Sequence, residues 1–195
     1  MKRWKNCCNV RDLSVCCVPK AASTSLKAGL LHSAGVPVEN IHGNAALNRT
    51  FPEDASGRLV AFIRHPWSRL VGTWRHRLHG ERTAVTRGFE KRGFRQGMSL
   101  RDYLVRLPHV YDLDCHTAPQ VRFVHADCEL YLVERVNEGW RQLKEEHPWL
   151  HELPFYGKRY FEPVIEPGAL GRAVLRQLYA DDMELWESAN SQIFT

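Results

Sequence analysis

The most informative stretch of this sequence is Val15-Cys16-Cys17-Val18-Pro19-Lys20-Ala21-Ala22-Ser23-Thr24-Ser25-Leu26. The apolar residues at its start predict a buried strand, and the leucines from Leu26 onward follow at the spacing of a helix. Ser23 or Thr24 is the expected N-cap of that helix, and Gly35 is expected to end it. The stretch therefore predicts a strand, a tight loop and a helix in succession.

A tight loop between a strand and a helix N-terminus can bind an anion, because its backbone N–H groups lack helical partners and the helix dipole is positive there. Lys20 adds a cation and the hydroxyl groups of residues 23–25 add donors, which favours a phosphate-like anion. The loop is not a Walker A motif, because it lacks the first glycine and the Gly-Lys pair. On these residues alone, an ordinary Ser/Thr helix cap remains the alternative.

The composition indicates a globular chain that prefers anionic ligands. Its 195 residues are 44% hydrophobic and 25% charged, which predicts one domain over residues 1–195. The net charge of +5 and the pI near 9.0 suit a nucleic acid, a nucleotide or an acidic glycan. The apolar runs are too short for a transmembrane segment, and Asn9, Arg11 and Asp12 interrupt any signal peptide.

The cysteines do not have the spacing of zinc ligands, so no metal is expected. We expect reduced thiols, with a disulfide between Cys115 and Cys128 as the alternative in an oxidising compartment. The six cysteines are Cys7, Cys8, Cys16, Cys17, Cys115 and Cys128.

Apolar strands alternate with amphipathic helices along the chain, after a polar and basic lead-in over residues 1–13. This alternation predicts an α/β domain with a mainly parallel central sheet flanked by helices. Beyond the first strand and helix, strands are predicted at 59–63 and 129–133, with irregular segments at 36–57 and 83–99. Further helices are predicted from Pro66 to Gly80, from Ser99, and over 136–146, 168–179 and 181–189.

A second cationic element follows the strand at 59–63. Arg64 lies at the carboxyl end of that strand, where ligands bind in open α/β sheets, and Pro66 suits the first turn of a helix. Residues 64–79 contain four arginines and no acidic residue. Arg75 and Arg77 fit a solvated basic helix face, whereas the position of Arg64 predicts an anion ligand.

Four segments carry a resemblance to a known family. Two are Val18-Pro19-Lys20-Ala21-Ala22-Ser23-Thr24-Ser25 and Phe62-Ile63-Arg64-His65-Pro66-Trp67-Ser68-Arg69-Leu70-Val71. The others are Asp114-Cys115-His116-Thr117-Ala118-Pro119-Gln120, similar to a D-x-H-x-x-P-Q segment, and Tyr179-Ala180-Asp181-Asp182-Met183-Glu184-Leu185, similar to Y-x-x-D-x-x-L. Together and in this order they resemble the carbohydrate sulfotransferases of the membrane-associated Golgi type, sulfotransferase family 2.

The resemblance implies a P-loop-like three-layer domain that moves a sulfuryl group from 3′-phosphoadenosine-5′-phosphosulfate (PAPS) to an acceptor hydroxyl on a carbohydrate. It implies that Arg64 binds the 3′-phosphate and that Lys20 lies at the bridging oxygen of the leaving group. The family has a serine eight residues after that arginine, where this chain has Gly72, and Ser68 or Thr73 is expected to substitute. The other residues implied for the 5′-phosphosulfate loop are Pro19, Ala21, Ala22, Ser23, Thr24 and Ser25.

Transfer to a hydroxyl requires a base for its proton, and histidine is the usual one. His116, inside the D-x-H-x-x-P-Q match, is the first candidate and His42 the second. Asp114 is expected either to orient the His116 ring or to cap a turn. Gln120 is expected to be a polar group of the donor or acceptor site. A set of basic residues forms either an acceptor loop for an anionic glycan or a solvated surface: Arg87, Lys91, Arg92 and Arg95.

Two other functions remain open on the sequence. A P-loop-type nucleotide kinase or NTPase lacks support because the Gly-Lys-Ser/Thr element is missing. A non-catalytic nucleic-acid module is supported by net charge alone. The expected partner is therefore a carbohydrate or small hydroxyl acceptor and not nucleic acid. The expected location is the cytoplasm for a soluble microbial or viral form, or the Golgi lumen for a trimmed catalytic region.

Overall fold

The computed structural model describes residues 4–80, 88–154 and 165–191. Within them lies a sheet of five strands, β1 (Cys7–Val10), β2 (Leu13–Cys16), β3 (Arg49–Thr50), β4 (Arg58–Ile63) and β5 (Glu129–Leu132). The same residues contain the helices α1 (Ser23–Ser33), α2 (Pro66–Leu78), α3 (Leu100–Arg106), α4 (Val136–Glu146), α5 (Ala169–Leu178) and α6 (Ala180–Ser191). The predicted α/β class is confirmed.

The sheet is mixed, with strand order β3-β1-β2-β4-β5. β2, β4 and β5 run parallel to one another, and their register places Cys16 opposite Ala61 and Ile63 opposite Leu132. β1 pairs antiparallel with both β2 and β3. The three parallel strands therefore end at one edge of the sheet, where ligands bind in this type of fold.

The expectation of a polar lead-in over residues 1–13 is wrong from Cys7 onward. β1 is buried along its whole length and forms a hairpin with β2, in which Val10 lies opposite Leu13. The polar residue Asn9 fits this strand because its side-chain amide donates to the Asn48 carbonyl oxygen at 2.8 Å and accepts a bond from the Ser14 hydroxyl at 2.6 Å. Satisfied polar groups of this kind hide a buried strand from a hydrophobicity pattern.

The start of α1 also differs from the expectation. Ala22 occupies the N-cap position with a φ of 55°, and no side chain among the described residues caps the helix, so neither Ser23 nor Thr24 has that role. The predicted end is confirmed, because Gly35 follows the helix with a φ of +71°. The segment predicted to be irregular after it contains β3 and two short 3₁₀ helices.

Close helix contacts hold the elements around the sheet. A side-chain carbon at Gly29 of α1 would lie 2.9 Å from the Trp140 ring of α4, so these two helices approach closely. A second apolar cluster joins α2 to α3 and α5 through residues that include Trp67, Tyr103 and Val174. α2 is thereby packed against α3 and α5, and it carries the buried arginines Arg69 and Arg77. None of the helices in the described ranges is both long and apolar enough to cross a lipid bilayer.

Candidate functional site

The two cationic elements lie at the same edge of the sheet. Lys20 is in the loop that follows β2, and Arg64 comes directly after the last residue of β4. β2 and β4 are hydrogen-bonded neighbours in parallel register, and such strands are separated by about 4.8 Å. The loop after β2 and Arg64 therefore both lie at the carboxyl ends of these neighbouring strands.

The backbone of the loop has an unusual conformation. Lys20 and Ala22 adopt φ values of 67° and 55°, in the left-handed region that favours glycine. Left-handed residues alternating with others turn successive backbone N–H groups toward one concavity, which is a common anion site. The N–H groups of the first turn of α1 lie in the same place and have no acceptor within the helix. The loop can therefore hold a phosphate or sulfate group with backbone donors.

Arg69 connects this loop to the segment around His116. Its guanidinium group, only 1% exposed, donates to the Pro19 carbonyl oxygen at 2.9 Å and to the Cys115 carbonyl oxygen at 3.2 Å. The Thr73 hydroxyl lies 3.1 Å from the His116 carbonyl oxygen. These bonds bring the candidate leaving-group lysine and the candidate base into one site.

The main chain of Arg64 is held by Gln120. The buried Gln120 amide accepts from the Arg64 N–H at 3.0 Å and donates to the Arg64 carbonyl oxygen at 2.7 Å. Asp182 in turn accepts from the backbone N–H groups of Gln120 and Val121, at 2.8 and 3.0 Å. Through these two bonds Gln120 holds the main chain of Arg64 in place, and its assignment as a polar group of the donor or acceptor site stays a prediction.

Two of the recognised segments are joined here. Asp182 belongs to the Y-x-x-D-x-x-L match and Gln120 to the D-x-H-x-x-P-Q match. Tyr179, from the first of these, donates its hydroxyl to the Thr117 carbonyl oxygen at 2.5 Å. The C-terminal segment therefore holds the backbone of residues 117–121 in place through Tyr179 and Asp182.

Replacing Asp182 by alanine is expected to lower the free energy of unfolding by about 3 kcal/mol, because two buried backbone N–H groups lose their acceptor. Urea denaturation of the variant measures this loss. Asp181→Ala is the matched control, since the neighbouring Asp181 is exposed. Equal stability of the two variants would contradict the assigned role.

Gly72 lies directly beneath the Arg64 side chain. A side-chain carbon built at Gly72 would be 3.2 Å from Arg64 Nη1, so the guanidinium group covers the position of the family's serine. Of the two expected substitutes, Thr73 is fully buried and its hydroxyl contacts the Arg69 and His116 carbonyl oxygens. Ser68, four residues after Arg64, is 9% exposed, and its place as a phosphate ligand stays a prediction.

We expect Gly72→Ser to strengthen the binding of adenosine 3′,5′-bisphosphate ~2–10-fold, because one added hydrogen bond contributes about 0.5–1.5 kcal/mol. Arg64 is a flexible side chain and can shift by the few tenths of an ångström that the new carbon requires. Calorimetry measures the effect, and Gly72→Ala separates the hydroxyl from the gain in helix propensity. An equal gain in both variants, or none, would argue against a phosphate at this position.

The His116 ring lies between the carboxylate of Asp114 and the guanidinium group of Arg77. Its Nδ1 lies 2.7 Å from Asp114 Oδ1, and its Nε2 lies 2.6 Å from an Nη of Arg77. Arginine can only donate, so Nε2 is the acceptor. The ring proton is therefore on Nδ1, which donates a hydrogen bond to Asp114. Asp114 also accepts from the His116 backbone N–H at 2.9 Å. Both expectations for Asp114, orienting the ring and capping a turn, therefore apply.

Electrostatics favour a neutral His116. Burial lowers the pKa of His116 below its ordinary value, and the charges of Arg77 and Lys20 lower it further against the opposing effect of Asp114. Burial alone raises the pKa of Asp114, but the hydrogen bonds from His116 and the charge of Arg92 lower it below the ordinary value. The site therefore pairs a neutral imidazole with an ionised carboxylate.

The second histidine candidate, His42, shares one of these cations, Arg77, with His116. His42 is exposed, and partial burial together with the charges of Lys27, Arg49 and Arg77 lowers its pKa. Of the basic residues proposed for an acceptor loop, Arg92 lies 3.9 Å from the Asp114 carboxylate, and Lys91 and Arg95 are exposed. Arg87 lies outside the described residues.

Asp114, Cys115 and His116 also place three potential metal ligands within 4.8 Å of one another. Arg77 donates a hydrogen bond to His116 Nε2, and Arg92 lies close to Asp114. Two cations therefore already neighbour these ligands. This environment opposes the binding of a metal ion. The cysteines are all free thiols, and Cys128 lies 3.7 Å from Cys16, sulfur to sulfur, in this arrangement.

Two arginines of the candidate site were not singled out from the sequence. Arg77, expected on a solvated helix face, is buried and bonded to His116, and Arg69 proves to be the link between two loops. The available signal was the absence of any acid from residue 64 to residue 79, which leaves the arginines without carboxylate partners on their own helix.

Comparison with known proteins agrees with this geometry. The sequence matches the Sulfotransferase family, Sulfotransfer_2, over residues 7–152, a span that contains the loop after β2, Arg64 and the His116 segment. Among curated proteins and solved structures, none matches the chain. The family match covers most of the chain, and the chain therefore belongs to the Sulfotransferase family and is a sulfotransferase.

Proposed function

We propose that this sulfotransferase uses PAPS as its donor substrate and transfers the sulfuryl group to a hydroxyl of a carbohydrate. The observation that supports this proposal is the position of two cationic elements at one edge of the sheet. Lys20 and its backbone donors suit one anionic group, and Arg64 with Ser68 suits another. A nucleotide with phosphate groups on both sides of its ribose presents two such anions at once.

The protein's part in the reaction is to position the reactants and to stabilise charge. The acceptor oxygen forms a bond to sulfur while the bond between sulfur and the bridging oxygen breaks. The electron pair of that broken bond goes to the 5′-phosphate, beside Lys20. The proton of the acceptor hydroxyl goes to a base, for which His116 is the first candidate and His42 the second.

His116 can act as a base at Nε2 alone, because Nδ1 already carries a proton held by Asp114. Asp114 fixes the tautomer and stabilises the imidazolium that forms after proton transfer. In the structure Nε2 accepts a bond from Arg77, so Arg77 has to leave that nitrogen before it can take a proton.

The pH dependence of kcat/KM follows from the lowered pKa of the base. A base is active when neutral, so activity is kept above its pKa and lost as the pH falls through it. Since burial and nearby cations depress the pKa of His116, we expect the acid limb of the profile to have its midpoint below 6.5. The pKa of His42 is depressed as well, so substitution has to distinguish the two.

His116→Gln is expected to abolish the acid limb together with most of the activity, whereas His42→Gln keeps the limb in place. The reverse result would assign the base to His42. An acid limb above 6.5 in the unchanged protein would contradict the electrostatics of the site.

The transfer assay tests the function itself. The full chain is incubated with PAPS labelled in the sulfuryl group and with a panel of glycans and small alcohols, without magnesium. We expect label on a sugar hydroxyl. Label on a non-carbohydrate hydroxyl alone would refute the acceptor class, and binding of ATP with magnesium in place of the donor would favour the NTPase alternative.

A further inference from the structure

Arg77 is a buried cation whose hydrogen bonds are incomplete. The residue is 8% exposed, and one Nη donates to His116 Nε2 at 2.6 Å. Its Nε is buried and has no hydrogen-bond partner among the described residues. A buried guanidinium with an unused donor is costly unless an anion completes it.

Arg69 shows what a purely structural arginine looks like in this protein. It lies eight residues before Arg77 on α2 and is also buried, but its guanidinium donates to two carbonyl oxygens. Arg77 instead contacts a neutral imidazole, which offers no charge. The two arginines therefore differ in their hydrogen bonding, although both lie on α2 and both are buried.

The nearby carboxylate of Asp114 does not provide the missing hydrogen-bond acceptor for Arg77. Burial lowers the pKa of Arg77, and Asp114 is the carboxylate whose charge opposes that effect. Asp114 already accepts two bonds from His116 and lies 3.9 Å from Arg92. The described part of this site thus has more positive than negative charge. Lys20 adds to the excess, because it lies close enough to lower the pKa of His116.

Building on the proposed function, we propose that Arg77 is a catalytic residue that binds the non-bridging oxygens of the transferring sulfuryl group and releases His116 Nε2 as it does so. The sulfuryl oxygens supply the anion that the buried guanidinium lacks. Lys20 then faces the bridging oxygen on the leaving side, and Arg77 faces the sulfuryl oxygens next to the base.

This exchange of partners connects donor binding to proton transfer. While Arg77 is bonded to Nε2, the lone pair of His116 is occupied. When Arg77 turns to the sulfuryl group, Nε2 can accept the acceptor's proton as the oxygen–sulfur bond forms and the bond to the 5′-phosphate oxygen breaks. The base is therefore available only when a sulfuryl group is present.

The test compares a donor with a product that lacks the sulfuryl group. In Arg77→Met we expect kcat with PAPS to fall ~10²–10³-fold, the usual loss for one charge-stabilising contact, while the dissociation constant of adenosine 3′,5′-bisphosphate changes less than ~3-fold. Arg77→Lys keeps the charge and is expected to recover part of kcat. Arg176→Met on α5 removes an equal charge from an exposed position and is the matched control.

The outcomes separate this proposal from the one on which it rests. An unchanged protein that neither binds the bisphosphate nor uses PAPS refutes the proposed function. If it does both, the role of Arg77 is refuted by an unchanged kcat, by a rise in the acceptor KM alone, or by an equal loss of bisphosphate binding. A melting curve shows whether Arg77→Met is folded. If it is not, Arg77→Lys replaces it, and the same three results measured on Arg77→Lys refute the role.

Discussion

Lys20→Met will lower kcat ~10²–10³-fold if Lys20 stabilises the charge that develops on the bridging oxygen of the leaving group. The residue follows β2 in a loop whose left-handed backbone and helix N-terminus already favour an anion. Its charge matters more in the transition state than in the bound donor, so kcat is expected to fall more than the affinity for the bisphosphate product. Steady-state kinetics with labelled PAPS measures both quantities.

The control for this variant is Lys144→Met, which removes the same charge from α4, where Lys144 contacts Glu152. That protein is expected to turn over as the unchanged one does. A Lys20→Met protein with kcat within ~3-fold of the unchanged enzyme would show that no charge-stabilising contact exists there, because such contacts contribute far more.

Arg64→Gln is expected to weaken the binding of adenosine 3′,5′-bisphosphate ~10–100-fold, since a hydrogen bond to a charged group contributes about 1.5–3 kcal/mol. Adenosine 5′-phosphate, which lacks the 3′-phosphate, should bind the variant and the unchanged protein alike. The ratio of the two affinities, measured by calorimetry, therefore reports the contact with the 3′-phosphate and not the general state of the site.

Arg58→Gln provides a matched control on the same strand. Arg58 begins β4 at the opposite edge of the sheet, where it pairs with Glu129 and Glu146. Its loss should leave the affinity ratio unchanged. A ratio that falls in Arg58→Gln, or stays constant in Arg64→Gln, would mean that the 3′-phosphate does not contact Arg64.

The sequence predicts the parts of the fold that depend on local pattern. The apolar run before Pro19, the run before Arg64 and the amphipathic segment of α4 have clear periodicity, and each is found within a few residues of its predicted place. β1 could not be predicted in this way, because the Asn9 amide is satisfied by residues about 40 positions later in the chain.

The candidate site shows the same limit. Lys20 and Arg64 could be predicted because each follows an apolar strand directly, and parallel strands end at one edge. The roles of Gln120 and Arg77 depend on partners far away in sequence, Arg64 and His116, that only the folded chain brings into contact. A basic helix face and a buried arginine have the same sequence pattern, and tertiary packing alone distinguishes them.

A crystal structure of the full chain with adenosine 3′,5′-bisphosphate tests the central claim most directly. The account predicts one nucleotide that spans the sheet edge, with its 5′-phosphate on Lys20 and the backbone N–H groups at the start of α1 and its 3′-phosphate on Arg64. A nucleotide bound elsewhere, or one that contacts a single cationic element and leaves the other to solvent, would contradict it.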